Sequence, residues 1–391
     1  MLLIWIGLAA VFVASLPYLL YLLLAAILLP STPPAEPSEA EPVSIVLPTY
    51  NEESIIIDTL ESLCSLAYPH DKLEVVIVDS GDDETAERVR EFFVDRDAPE
   101  LQLIEESDRG GVARAVNRGV AAASHDIIFR TDCDSRLDPE VVGHAVGMLQ
   151  DKTVGGVTGR QVEVLGKSKV EESYRGLQAR NQALESVLDS TFIVHGPCFA
   201  FRKTFFEPIT TDSLADDTEI AVGIRTQGKR ILMNPQMQFA EASTSALRDR
   251  RRRKDRRAMG LLQLLDRNHE LLGQHGLYGW VVLPINWWFL AISPWLSIGG
   301  TVLVMGGLLL TVPPVGFATI GLAGLVILLG QRDRLGRLQA PYAVFDAHLS
   351  LVIARIRLWT EDGDGTWEVD TDSRELLWVL VEMSTEACFQ H

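Results

Sequence analysis

The chain has 391 residues, of which 47% are hydrophobic, and its formal net charge is −18 at pH 7. Nucleic-acid-binding proteins present basic surfaces to phosphates, so this charge argues against nucleic acid as a partner. The length suits one large domain with membrane segments, or two ordinary domains. The four cysteines are scattered without metal-site spacing, which favours reduced thiols and a cytoplasmic domain.

The first 29 residues contain no charged side chain. A helix of about 20 apolar residues spans the hydrocarbon core of a bilayer. This run is too long for the apolar part of a signal peptide, and it has neither a basic start nor an obvious small-residue cleavage site. We therefore predict a transmembrane helix at 1–29, with a cleaved signal peptide as the alternative. The Pro-, Ser- and Glu-rich stretch at 30–42 is predicted to be a linker.

From residue 43 onward, short apolar runs alternate with segments of helical period. Alternation of this kind predicts an α/β domain, at 43–270, with a mostly parallel sheet and helices on both faces. The runs typical of buried strands are 43–47, 73–78, 101–104 and 127–129.

Polar residues follow each of these strands, at the edge where parallel sheets bind their ligands. Asp79 ends the second strand and can accept hydrogen bonds from a nucleobase or ribose, although capping the next turn is a fair alternative. Arg109 and Arg114 flank a Gly-Gly turn that opens a helix. Backbone amides at a helix start, with arginines nearby, form a natural cradle for phosphate.

Two carboxylates, Asp132 and Asp134, stand one residue apart just after the fourth strand. They can offer hard oxygen ligands to a divalent cation such as Mg or Mn, which would neutralise a diphosphate leaving group. An Asp-x-Asp by itself is more often a turn or a helix cap. Further along, Asp216 and Asp217 precede a helix, and either could be its N-cap. A sugar hydroxyl needs a positioned base to attack, and Asp217 is our candidate.

A second apolar block, at 277–330, is broken by Pro313 and Pro314 and predicts two transmembrane helices. Arginines flank the block on both sides, so the positive-inside rule places both of its ends in the cytoplasm. The segment 331–360 is predicted to be an amphipathic helix at the membrane interface, with a fourth crossing as the alternative. The segment 361–391 would then be a cytoplasmic tail.

These segments, together and in this order, resemble glycosyltransferase family 2, which includes cellulose and hyaluronan synthases and lipid-linked sugar transferases. The run VSIVLPTYNE at 43–52 looks like the family's opening strand and nucleotide loop, and VIVDSG at 76–81 like its base-binding element. Asp132-Cys133-Asp134 stands where the family keeps its metal-binding Asp-x-Asp, and Asp216-Asp217 where it keeps the acidic pair that ends in the catalytic base. The resemblance implies a Rossmann-like GT-A fold.

By this resemblance the site residues take three roles. Asp134, with Asp132, would hold a divalent cation on the diphosphate of the donor. Asp217 would deprotonate the acceptor hydroxyl as it attacks the anomeric carbon, so the configuration would invert. The residues that would bind the nucleotide-sugar donor are Pro48, Thr49, Tyr50, Glu52, Asp79, Arg109, Arg114, Asp132 and Arg256.

The chain departs from the family pattern at two places. The family's Gly-Lys-x-x-Ala-x-Asn stretch appears at 111–117 without its lysine, for which Arg114 is a substitute. Processive members carry Gln-x-x-Arg-Trp on an interfacial helix, and the stretch at 253–257 keeps the arginine, Arg256, without the glutamine or the tryptophan. Without this aromatic platform for a sugar, repeated chain extension is less expected. Binding of anionic lipid headgroups is an equal interpretation of the basic helix near 245–270.

The predicted protein is therefore a multi-pass cell-membrane enzyme with its catalytic domain in the cytoplasm. It would move a sugar from a nucleotide-sugar donor to a membrane-associated acceptor, such as a lipid-linked saccharide. The orientation of the first helix is inferred only from this placement of the domain. The alternatives are a processive polysaccharide synthase and a non-catalytic membrane protein that binds nucleotide sugars.

Overall fold

The computed structural model describes residues 1–29, 39–165, 169–242 and 247–360. The predicted tail at 361–391 and most of the predicted linker at 30–42 lie outside these residues. The described chain forms two compact units. The helical unit contains the N-terminal helix, residues 169–184 and the chain from Arg251 onward, and the sheet unit contains the remainder.

The helices and strands follow the alternation that the sequence predicts. The helices are α1 (Leu2–Leu28), α2 (Ile56–Cys64), α3 (Thr85–Phe93), α4 (Val112–Ala122), α5 (Val141–Leu149), α6 (Lys169–Leu188), α7 (Asp216–Thr226), α8 (Leu247–Arg267), α9 (Leu283–Trp287), α10 (Ser293–Thr311), α11 (Pro313–Gln331) and α12 (Gln339–Thr360). The strands are β1 (Val43–Thr49), β2 (Leu73–Asp79), β3 (Glu100–Glu105), β4 (Ile127–Arg130), β5 (Ser135–Leu137), β6 (Val154–Leu165), β7 (Phe199–Arg202) and β8 (Arg230–Ala242).

The sheet unit is built on one mixed sheet with the strand order β3-β2-β1-β4-β7-β6-β8-β5. The first four strands in this order are parallel, β7 runs antiparallel to β4 and β6, and β5 runs antiparallel to β8. The register pairs Thr49 with Asp79 and Val46 with Arg130. The carboxyl ends of β2, β1 and β4 therefore meet at one edge of the sheet.

Alternate residues of the central strands point to opposite faces of the sheet, and each face has its own core. Ile45 of β1 packs in the core that also holds buried residues of α2, α3 and α5. Its neighbour Val46 belongs to the core on the other face, with α4 and α7. All seven residues of β2 are buried, as expected for a parallel strand that is covered on both sides. The predicted α/β fold with helices on both faces is confirmed.

Among the described residues, three helical stretches of the helical unit are long and apolar enough to cross a membrane: Leu2–Leu28, Tyr278–Thr311 and Pro313–Gln331. Helix α1 packs against α10 through glycines, where a Cβ at Gly7 would lie 2.5 Å from the backbone oxygen of Gly300. Small residues of this kind let two membrane helices approach closely.

Helix α12 carries polar side chains that pair within the helical unit. Asp346 accepts hydrogen bonds from Arg251 at 2.9 Å and from Lys254 at 2.6 Å, both on α8. The ring of His348 lies 2.9 Å from the hydroxyl of Tyr18 on α1. These partners reduce the cost of placing polar groups among apolar helices.

Candidate donor and catalytic site

Asp79 and Thr49 end two neighbouring parallel strands and are both buried. The Thr49 hydroxyl donates a 2.7 Å hydrogen bond to Oδ1 of Asp79. Burial raises the pKa of Asp79 above its ordinary value, and the hydrogen bond from Thr49 opposes this increase. The sheet thus presents an oriented carboxyl group at the edge where a nucleotide fold holds its base or ribose.

The loops that follow β1 and β2 are tied together by hydrogen bonds. Asn51, whose φ is 55°, accepts a 3.0 Å bond from the backbone N–H of Asp82. The backbone N–H of Glu52 donates to the hydroxyl of Thr85 at 2.9 Å. Pro48, Thr49, Tyr50, Glu52 and Asp79, all predicted to bind the donor, are therefore carried by one connected platform.

The arginines near the Gly-Gly turn have different surroundings. The guanidinium of Arg109 lies over the ring of Tyr50, with 4.1 Å between its carbon and the ring centroid. Arg114 instead lies 3.2 Å from the buried carboxylate of Glu106, which Arg118 also contacts at 2.9 Å. Arg109 is exposed beside the platform, whereas Arg114 is held by an ion pair.

A buried arginine joins the Asp-x-Asp segment to the acidic pair. Arg130 ends β4, and only 5% of its side chain is exposed. Its Nη2 lies 2.8 Å from Oδ2 of Asp216 and 3.5 Å from Oδ1 of Asp132. Burial works against its charge, but the carboxylates of Asp216 and Asp132 outweigh burial and raise the pKa of Arg130.

Asp132 and Asp134 follow Arg130 in a turn that is anchored to α2 by a 2.8 Å bond from Thr59 to the backbone oxygen of Cys133. Burial is the main cause that raises the pKa of Asp132 to about 7, and the charge of Asp134 adds to it, while Arg130 opposes it. About a third of the Asp132 side chain is still exposed, so a ligand can reach it.

The chemistry of Asp132 and Asp134 fits a hard divalent cation. Mg²⁺ is usually held by one or two carboxylates, with waters and substrate phosphates completing the coordination shell. Within the described ranges, no group of three or more His, Cys, Asp or Glu side chains surrounds a metal position. In the usual Mg²⁺ arrangement, the two aspartates would share the ion with the phosphates of a donor.

Asp217 is held by two backbone N–H groups, from Gly196 at 2.9 Å and from Thr218 at 2.6 Å. The N-cap position of α7 is Ala215, so both aspartates lie within the first turn of the helix. Burial, followed by the charge of Asp216, raises the pKa of Asp217, and Arg130 and the two hydrogen bonds oppose the increase. A carboxylate with a raised pKa is a stronger base, which suits proton removal from a hydroxyl.

Arg130 was not predicted to be a site residue from the sequence. A charged residue at the end of a buried apolar strand needs a partner, and this was the available signal for Arg130. The short distance between Gly196 and the guanidinium has no counterpart in a local pattern. Arg256, half-buried on α8, belongs to the helical unit, and its contact with a donor stays a prediction.

Comparisons with known proteins indicate the family and the fold. Residues 44–210 match the model of the family described as glycosyl transferase family 2. The probable glycosyltransferase YdaM of Bacillus subtilis is 27% identical over 215 residues, which cover 50% of each chain. The poly-β-1,6-N-acetyl-D-glucosamine synthase of Staphylococcus epidermidis is 27% identical over 198 residues, 48% of this chain and 46% of the synthase. The chain thus spans about half the length of these two relatives.

One solved structure resembles nearly the whole chain. It is the mannosyltransferase PcManGT from Pyrobaculum calidifontis, in complex with GDP-mannose and Mn²⁺. The superposition covers 92% of this chain and 100% of the mannosyltransferase, with 26% identity and a TM-score of 0.76. The GT-A fold implied by the sequence resemblance is confirmed by this match.

Proposed function

We propose that this chain, whose residues 44–210 match glycosyl transferase family 2, transfers a sugar from a nucleotide-sugar donor to a membrane-associated acceptor, with inversion at the anomeric carbon. One observation carries the proposal. Asp132 of the metal motif and Asp216 of the acidic pair meet at the same buried arginine, and Asp217 is fixed beside them by Gly196. The residues proposed for the diphosphate and for the base therefore lie next to each other, as group transfer requires.

The platform residues orient the donor in this proposal. Asp79 and Thr49 face the nucleoside, while Tyr50 and Arg109 border the phosphates. Asp132 and Asp134 would hold Mg²⁺ or Mn²⁺, and such an ion, when bound, neutralises the charge of the departing diphosphate.

The transfer step uses Asp217 as the base. Its carboxylate takes the proton of the acceptor hydroxyl while the hydroxyl oxygen bonds to the anomeric carbon. The bond between that carbon and the diphosphate oxygen breaks on the opposite side, and the nucleoside diphosphate leaves with the electron pair. Asp216 is already paired with Arg130 at 2.8 Å, which leaves Asp217 as the better base of the two.

The acceptor is proposed to be lipid-linked or otherwise membrane-associated, and the site to face the cytoplasm. Support comes from the three apolar helical stretches and from the basic residues that flank the last two. The mannosyltransferase with GDP-mannose and Mn²⁺ supports a nucleotide-sugar donor and a divalent cation.

A test begins with the purified full chain in detergent. Nucleotide sugars are screened, with and without Mn²⁺, for an increase in melting temperature, since a ligand at about 100 times its Kd stabilises the folded state by about 2.7 kcal/mol. The best donor is then used to measure transfer. A protein that no nucleotide sugar stabilises, and that transfers none, would contradict the proposal.

The variant Asp217→Asn tests the base. It should keep donor- and Mn²⁺-dependent stabilisation and lose transfer by about 10²- to 10⁴-fold, the usual contribution of a general base. Asp151→Asn is the matched control, because Asp151 is exposed and its carboxylate accepts hydrogen bonds from Thr153 in a loop before β6. Undiminished turnover of Asp217→Asn would show that another group takes the proton.

A processive polysaccharide synthase is the second candidate, because one relative is a poly-β-1,6-N-acetyl-D-glucosamine synthase. Product length on the purified enzyme separates the two. Single additions or short chains support the first function, and long polymer supports the second.

A further inference from the structure

Arg130 touches both the metal motif, through Asp132, and the acidic pair, through Asp216. Building on the proposed function, we propose that Arg130 is a positioning residue that holds the acidic pair in line for proton removal, and that it competes with the divalent cation for Asp132. The first effect favours turnover and the second weakens metal binding.

The two ion pairs of Arg130 differ in length. The 2.8 Å contact with Asp216 is a close ion pair, whereas the 3.5 Å contact with Asp132 is looser. A cation that binds Asp132 therefore displaces the weaker of the two contacts. The stronger contact keeps Asp216 in place, because its partner stays buried and charged.

Arg130 also lies against the loop that positions Asp217. Its Nη1 is so near Gly196 that a Cβ there would lie 2.1 Å from this nitrogen. The backbone N–H of the same glycine donates to Asp217. A planar guanidinium can touch Asp216 and the Gly196 backbone at once, whereas the ammonium group of a lysine is a compact point charge.

Two of the three guanidinium nitrogens of Arg130, Nε and Nη1, make no hydrogen bond within the described part of the chain. The nitrogen nearest Asp132 is Nη2, which lies closer to Asp216, so the guanidinium acts on Asp132 as a nearby positive charge without a close ion pair to it. Such a charge opposes a second cation on the same carboxylate.

The test compares Arg130→Met with the wild type in two measurements. Isothermal titration calorimetry with Mn²⁺ alone, without donor and at a pH high enough to ionise Asp132 in both proteins, should show roughly three- to tenfold tighter binding in the variant, because a repelling charge is removed. The kcat for transfer at saturating donor and Mn²⁺ should fall about 100-fold, because the base is no longer aligned. A merely structural role would weaken both properties together.

Arg130→Lys separates charge from shape. Its Mn²⁺ affinity should be about that of the wild type, since the positive charge is restored. Its kcat should remain at least about tenfold below the wild-type value, because the planar guanidinium is lost. Arg202→Met is the matched control: Arg202 ends β7 and also contacts two carboxylates, Asp126 at 3.0 Å and Glu41 at 3.5 Å. The Mn²⁺ affinity and the kcat of Arg202→Met should equal those of the wild type.

If Arg130→Met does not fold, the charge-balanced double variant Arg130→Met/Asp216→Asn replaces it. This protein should bind Mn²⁺ at least as tightly as the wild type and turn over about 100-fold more slowly. Weaker Mn²⁺ binding in the folded variant, or wild-type kcat, would overturn the inference. A wild type without any transfer activity would instead reject the proposed function, and the Mn²⁺ affinities would still decide whether Arg130 competes for Asp132.

Discussion

Replacing Gly196 with alanine tests how closely the loop before β7 packs against Arg130. The added Cβ would lie 2.1 Å from Nη1, 2.7 Å from Cζ and 3.1 Å from Nη2 of the guanidinium. Ordinary contacts between such atoms are longer by about 1 Å, so either the arginine or the loop must move.

The two movements have different costs. Moving Arg130 away from Asp216 leaves a buried charge without its partner, which costs about 3–5 kcal/mol. Moving the loop lengthens the 2.9 Å bond from Gly196 to Asp217, and a hydrogen bond to a charged group contributes about 1.5–3 kcal/mol. Movement of the loop costs less free energy than movement of Arg130 and is therefore expected. Gly196→Ala should then lower the free energy of unfolding by about 2–3 kcal/mol.

Thermal unfolding of the detergent-solubilised chain measures this change. A loss of this size should lower the melting temperature by roughly 5–10 °C for a domain of this size. Because the displaced loop carries the N–H that positions Asp217, kcat should fall by about 100-fold as well, even at temperatures where the variant is folded.

The same substitution elsewhere in the sheet unit provides the control. A Cβ at Gly223, within α7, would meet nothing within 4 Å. Gly223→Ala should therefore raise stability by about 0.5–1 kcal/mol, since alanine is the better helix former. A Gly196→Ala protein that melts at or above the wild-type temperature would refute the packing argument.

Two further predictions concern the base and the helical unit. Burial raises the pKa of Asp217, and its active form is the carboxylate, so kcat should rise with pH on the acidic side of the profile. The midpoint of this rise should lie above the ordinary aspartate pKa of about 3.9. A midpoint at or below that value would contradict the assignment of Asp217 as the base. Gly300→Ala should lower the melting temperature in detergent by overpacking α1 against α10, at a cost of about 1–3 kcal/mol, because its Cβ would lie 2.7 Å from the backbone oxygen of Gly7. Gly299→Ala, whose Cβ would meet nothing within 4 Å, should change it little, and equal melting of the two variants would argue against the packing.

Patterns within a few residues predicted most of the fold. The predicted strand at 43–47 became β1, Val43–Thr49, and the run at 127–129 became β4, Ile127–Arg130. Both strands could be predicted because a buried parallel strand is continuously apolar, whichever strands pair with it in the sheet. The family motifs were equally local, since each spans only a few neighbouring residues at the end of a strand.

The predicted site residues share an edge of the sheet, but their partners could not be read from the sequence. Asp79 was predicted, whereas its hydrogen bond from Thr49 depends on the register between β1 and β2. Arg114 was expected to face phosphate, and the structure pairs it with Glu106. Ion pairs are decided by which charged groups folding brings within reach, and the composition of a segment does not contain this information.

The sequence by itself determined the alternation of strands and helices, the apolar helical stretches and the acidic motifs, because hydrophobic period and motif spacing are properties of short segments. Only the tertiary structure decided that Arg130 connects Asp132 with Asp216. That contact requires β4 to pair with β7 and the start of α7 to lie beside them. Residues distant in the chain meet through burial of apolar surface over the whole sheet, and the charges at its edge take the neighbours which that packing gives them.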